Sequence, residues 1–259
     1  MKYLWQATGA SVIGQKHQRH NEPNQDAYLV QPTDQVESGF LIAVADGHGS
    51  APHFRSDTGS QLAISAAKSA LEWDLDSIED GREIIEDIVQ IWRQSVQQHL
   101  TEHPIQSPGE NIYFPYGTTL VMVAANADTF LALQLGDGDL VIGYEDGRIV
   151  KPFVSDDGLV GEQTYSLCLD SAADYAKLWI IRGDQEPWPD FALVATDGVS
   201  KSFVDDAKFL DTVAQYRSIV DSAEQLAATG GALPEWLAAV SAAGSADDAT
   251  LCFASRRFT

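Results

Sequence analysis

Nine short, largely apolar runs rich in β-favouring residues punctuate the chain, at positions 5–11, 27–31, 40–45, 119–125, 130–135, 140–144, 178–182, 191–196 and 249–254. Several are separated only by turn chemistry, as at Asn126–Ala127–Asp128, Asp137–Gly138 and Asp146–Gly147. Links that short join antiparallel neighbours, because a parallel crossover needs a dozen residues or more. The pattern therefore predicts mainly antiparallel sheets.

Helical periodicity interrupts the strands. Residues 61–73 are alanine-rich, and Ile78, Ile85, Val89, Trp92, Val96 and Leu100 recur with the spacing of one helical face. The two segments read as a helical hairpin able to cover a sheet. A further helical zone spans 205–242, with a break expected at Gly230–Gly231 and a restart at Leu233–Pro234. Strands, a helix pair, more strands, helices and a last strand describe an α+β layered architecture rather than alternating βαβ units. No internal repeat or linker interrupts the 259 residues, so a single domain over 1–259 is expected. Two stretches, 101–117 and 151–177, read as long loops, either functional or tolerated surface insertions.

Charge narrows the partners. With 38 acidic against 16 basic residues, the net charge of -22 repels nucleic-acid phosphates and anionic lipid. Composition alone leaves open whether the excess coats the surface or is held inside by divalent cations, whose hard ligands are Asp oxygens. The start, MKYLWQATGASVIG, lacks the apolar core of a signal peptide, and the longest clean apolar stretch, 40–45, is too short to span a bilayer. A cytoplasmic protein is expected. Cys168 and Cys252 sit in apolar stretches without metal-site spacing, as buried thiols do.

The acids follow a grammar. Asp46 ends the run FLIAVAD, Asp137 follows Leu135–Gly136, Asp197 precedes Gly198 after FALVAT, Asp247 and Asp248 come just before the last strand, and Asp26 opens a strand. Strands that cross one layered core end near one another, so these acids can converge. Two carboxylates at ~4 Å repel by about 4 kcal/mol at an effective dielectric near 20, and bound metal is the simpler relief. A lone Asp-Gly is an ordinary turn, and Asp146–Gly147 and Asp157–Gly158 keep that reading.

The ordered set QDAYLV, VADGHGS, GTTL, LGDGDL, ATDGVSKSF and DDATL resembles the metal-dependent serine/threonine protein phosphatases of the type 2C family, over about Gly9 to Phe253. The compact length and the GEQTYSL segment are similar to small bacterial members. The resemblance implies a four-layer α-β-β-α sandwich, two sheets face to face with a helix pair outside each, and a binuclear Mn²⁺ or Mg²⁺ centre at one end. It implies that Asp46 bridges both metals, that the carbonyl of Gly47 binds one of them, that Asp197 and Asp247 complete the second metal, and that Asp26 holds metal-bound water. Asp137 matches a third, weaker metal position, and Asp248 stands where the family usually has asparagine. His48 matches a histidine proposed to protonate the leaving alcohol, against the default of a surface hydrogen-bonding histidine. Thr118 and Thr119 begin a core strand, and 151–177 matches a mobile flap.

Two departures stand out. Asn21 occupies the place of the arginine that usually grips substrate phosphate, with Arg19 and His20 beside it, and Gln25 replaces a common glutamate. The implied activity is hydrolysis of phosphoserine or phosphothreonine on a phosphoprotein by metal-bound hydroxide, opposite a Ser/Thr kinase. Two divalent ions ~3.5–4 Å apart can activate water and clamp phosphoryl oxygens without a protein nucleophile. The alternative is an inactive phosphatase-fold module that binds phosphoproteins or regulates a kinase. A structural Ca²⁺ domain is disfavoured by the absence of a contiguous ligand loop.

Overall fold

β1 (Tyr3–Val12), β10 (Ala249–Phe258), β9 (Pro189–Ala195), β6 (Asp139–Tyr144) and β7 (Ile149–Val150) lie side by side in that order in one sheet. The other sheet runs β2 (Asp26–Gln31), β3 (Phe40–Asp46), β4 (Leu120–Ala125), β5 (Thr129–Leu135) and β8 (Lys177–Arg182). These assignments come from a computed structural model that describes residues 3–31, 39–71, 75–78, 81–106, 109–153, 164–183, 187–220 and 223–258. Every pairing is antiparallel, as the short turns require.

The central strands are apolar throughout because both of their faces are covered. Along β3, Phe40, Ile42 and Val44 point between the sheets, where they meet Trp5, Val123, Phe130, Val194 and Cys252. Leu41, Ala43 and Ala45 point the other way, onto helices. Those helices are α2 (Ser56–Ala70) and α3 (Gly81–Glu102), the expected hairpin. Alanines 63, 66, 67 and 70 let α2 lie close to its sheet while Ile85, Ile88, Trp92 and Val96 fill the space beneath α3. On the opposite flank α6 (Asp206–Ile219) and α7 (Ala223–Ala243) bring Phe209, Val213, Leu233 and Leu237 onto Phe191, Leu193, Leu251 and Phe253. Three apolar layers thus separate four layers of structure, the expected α-β-β-α sandwich.

The helical zone differs from expectation in one place. Gly230–Gly231 does not break it: α7 runs through both glycines with Pro234 inside, and the interruption falls after Val220 at the end of α6. The reason is packing, since a Cβ at Gly230 would sit 2.3 Å from Thr8 Oγ1, so the missing side chain lets α7 approach β1. Buried Leu233 and Leu237 hold the helix in place around the hydrogen bond that Pro234 forgoes. Three short helices escape periodicity altogether: α1 (Gln15–His20), α4 (Ala172–Tyr175) and α5 (Asp197–Ser200). Both cysteines are buried and free. Among the described residues no helix is long and apolar enough to cross a membrane.

Candidate metal centre

Strand register brings the acids to one end of the sandwich. Asp26 at the start of β2 faces Asp46 at the end of β3, Leu120 faces Leu135, and Ala195 lies between Asp139 and Leu251. The β5–β6 turn carrying Asp137, the α5 start at Asp197 and the loop before β10 therefore emerge on the same side.

Asp46 is the focus. Its backbone is locked on both sides: Thr119 Oγ1 accepts from its N–H at 3.0 Å, while its carbonyl accepts from Thr118 Oγ1 and Thr119 N–H, each at 2.9 Å. Thr118 and Thr119 thus fix the strand end that presents the carboxylate. Burial, then the charges of Asp26, Asp197, Asp137 and Asp247, hold its carboxyl well above the usual carboxylate range. Four sequence-distant acids thus act electrostatically on a fifth. Gly47 is the only residue type that fits beside it, since a Cβ would lie 2.7 Å from the carbonyl oxygens of both Gln25 and Ser56.

Asp26 is buried and oriented. Its Oδ2 accepts from Thr196 Oγ1 at 2.8 Å and Thr250 Oγ1 at 2.7 Å, and the Thr250 hydroxyl lies 2.7 Å from Ser11 Oγ. Burial and Asp248 push its carboxyl well up, against the downward pull of the two hydroxyls. Asp197 opens α5, where burial and Asp137 raise it to about 6.

Ammonium groups thread the cluster. Lys201 Nζ bonds Asp197 Oδ2 and lies 3.7 Å from Asp137 Oδ2, and Lys16 Nζ is 2.9 Å from Asp247 Oδ2. Among the described residues no three His, Cys, Asp or Glu side chains are set to grip a single ion by themselves. A cation here needs the Gly47 carbonyl and water to complete its shell, as Mg²⁺, which keeps several waters, tolerates well. The donor chemistry fits a hard divalent ion: carboxylates that repel one another, plus Gln25 Oε1, which is buried with no hydrogen-bond partner.

The phosphate-binding candidates lie differently from the acids. Arg19 bonds Gln15 Oε1 and His20 bonds the Lys16 carbonyl, both on the exposed side of α1, and Asn21 caps that helix in the left-handed region at φ 56°. The structure does not bring these three onto the acids. The residues of α1 that do reach them are Lys16 and His17, which local sequence did not single out. His17 Nδ1 is 2.7 Å from Asp248 Oδ2, and Asp248 also accepts from Gly14 N–H and Gln25 N–H at 2.7 Å each. Asp248 is therefore a buried knot tying α1 and the Gln25–Asp26 entry to β10. The one legible hint of Lys201 was its position four residues after Asp197, the spacing of a helical ion pair.

His48 follows Gly47 with its N–H on the Gly117 carbonyl at 3.1 Å, and its ring meets His53 edge-on at 4.8 Å. Burial and the neighbouring His53 lower His48 to about 4, so it is neutral at neutral pH.

A family model described as protein phosphatase 2C matches residues 13–239. The chain belongs to the protein phosphatase 2C family. No curated protein sequence matches. Solved structures of similar fold include the catalytic domain of the serine/threonine protein phosphatase PstP in complex with two manganese ions, at 16% identity and TM-score 0.64 over 99% of this chain and 100% of that one. Serine/threonine phosphatase Stp1 from Staphylococcus aureus aligns at 16% identity and TM-score 0.61, covering 96% of this chain and 94% of that one. PppA, a key regulatory component of T6SS in Pseudomonas aeruginosa, aligns at 17% identity and TM-score 0.62 over 98% of both chains. At such identities the likeness is one of fold, and it matches the two-sheet sandwich of this protein phosphatase 2C member.

Proposed function

We propose that this member is a divalent-metal-dependent protein phosphatase acting on phosphoserine and phosphothreonine, with residues 1–259 forming one phosphatase domain. The observation that carries the reading is the meeting of Asp26, Asp46, Asp137, Asp197 and Asp247 at one end of a protein phosphatase 2C fold. Two divalent cations, when bound, supply an activated water and neutralise charge on the transferring phosphoryl group. Mn²⁺ and Mg²⁺ both suit this oxygen-only donor set.

In this reading Asp46 would serve both cations and the Gly47 carbonyl one of them, with Asp197 and Asp247 as the further ligands. Asp26, fixed through Oδ2 by Thr196 and Thr250, offers Oδ1 to the attacking water and takes up its proton. His48 is the group beside the leaving oxygen; neutral at pH 7, it orients that oxygen by a hydrogen bond from its ring. Lys16, exposed at the edge of the cluster, draws the substrate phosphate in, with Arg19, His20 and Asn21 further out on α1. A flap at about 151–177 selects substrate; its residues 154–163 lie outside those described. The partners are a phosphoprotein and the Ser/Thr kinase that makes it, in the cytoplasm, and the charge of -22 disfavours nucleic acid and anionic membrane.

The test is phosphate release from a phosphothreonine peptide with Mn²⁺ and with EDTA. Turnover is expected with Mn²⁺ only and is lost in Asp197→Asn; turnover in EDTA refutes the metal-dependent mechanism.

A further inference from the structure

The resemblance implies a third, weaker metal position between Asp137 and Asp197, and the residues around those acids do not fit one. Lys201 Nζ bonds Asp197 Oδ2 and stands 3.7 Å from Asp137 Oδ2, so one ammonium spans both carboxylates. Its reach is set by the backbone: Lys201 N–H bonds the Asp197 carbonyl at 2.8 Å, closing the single turn of α5, which stacks residue 201 over residue 197. The two acids are bridged by that one ammonium, so they form a unit whose negative charge Lys201 already meets.

We propose that Lys201 is a built-in counter-ion occupying the third-metal position, so that this centre takes two divalent ions and not three. An ammonium brings one charge and three donors to oxygens that would otherwise be shared by an ion. A divalent ion entering there must break the Lys201–Asp197 bond, and the freed ammonium, tethered to the same turn, stays within a side chain's length as a like charge. Lys201 is a positioning residue in this account: it fixes the rotamers of Asp137 and Asp197 without an ion. The inference rests on the two-metal reading above and deepens it by fixing the number of ions.

The experiment counts bound Mn²⁺ on the full chain, freed of metal with EDTA and titrated while free Mn²⁺ is followed by electron paramagnetic resonance. Wild type is expected to saturate at two ions. Lys201→Asp, which exchanges the ammonium for a third carboxylate, is expected to bind one more, and adding Asp137→Asn to that variant should abolish the gain. A purely structural ion pair would change the melting temperature of Lys201→Asp but not its ion count. Should that variant fail to fold, Lys201→Gln, which keeps the stem and drops the charge, is read in the same way. Three ions on wild type, or two on a folded Lys201→Asp, overturns the proposal. No bound ion on wild type overturns the metal centre itself, and the two failures are thereby distinguished.

Discussion

Asp46→Asn separates the two effects an acid cluster must show, repulsion without metal and binding with it. Asp46 stands directly across from Asp26 on paired strands, and residues so placed hold their Cβ atoms about 5 Å apart. At that distance two carboxylate charges repel by roughly 3 kcal/mol at an effective dielectric of about 20. Partial protonation and water at the accessible edge of Asp46 reduce this, so removing the charge should stabilise the metal-free protein by about 1–3 kcal/mol, a rise in Tm of roughly 3–9 °C for a chain of this size. Asn preserves volume and keeps the backbone bonds to Thr118 and Thr119.

The pH dependence has a definite sign. An acid whose folded-state pKa is raised binds its proton more tightly when folded, so its cost is fully present above the folded value and disappears as pH falls toward the unfolded one. Asp197 stands at about 6, and Asp26 and Asp46 are raised as well. The advantage of Asp46→Asn should accordingly be largest above the raised folded-state value of Asp46 and shrink as pH falls from there toward the ordinary carboxylate range. With Mn²⁺ the order inverts, because wild type gains about 2.7 kcal/mol per site at roughly 100 times its Kd and the variant does not. Thermal melts in EDTA and in Mn²⁺ across this pH range provide the measurement. A metal-free variant less stable than wild type, or one with an undiminished Mn²⁺ shift, refutes the reasoning.

Three further outcomes follow from the same contacts. Gly47→Ala would place a Cβ against two carbonyl oxygens of fixed backbone, and overpacking of that kind costs about 1–3 kcal/mol; a urea midpoint unchanged from wild type would show that the loop yields. Thr250→Val removes a hydroxyl from buried Asp26, a charge-assisted bond of about 1.5–3 kcal/mol, so Mn²⁺ affinity by calorimetry should fall roughly 10- to 100-fold while the fold survives. His17→Ala leaves Asp248 without its imidazole partner and should lower stability by about 1.5–3 kcal/mol, with hydrogen exchange accelerating first in α1; unaltered exchange there would mean that Asp248 does not anchor the helix.

The nine apolar runs, the α2–α3 hairpin and the strand-end acids were legible because each is written locally: two-residue or helical periodicity needs only neighbours, and Asp-Gly after a core strand marks a place where the chain leaves the interior. α1 and α5, of six and four residues, were illegible because so short a helix has no period to detect. Gly230–Gly231 misled for a related reason: glycine signals a break by its backbone freedom, whereas here Gly230 serves close approach to Thr8, a fact about another strand.

The sequence by itself determined the antiparallel character of the sheets, the apolar runs that become the central strands, and the identity of the acids that sit at strand ends. Only the tertiary structure decided which charges meet those acids. Lys201 reaches Asp137 and Asp197, Lys16 reaches Asp247, and His17 reaches Asp248, while Arg19 and His20 turn back onto their own helix. An ion pair forms wherever side chains converge in space, and convergence between residues as far apart as 16 and 247 depends on strand register and helix phase, which no local pattern carries.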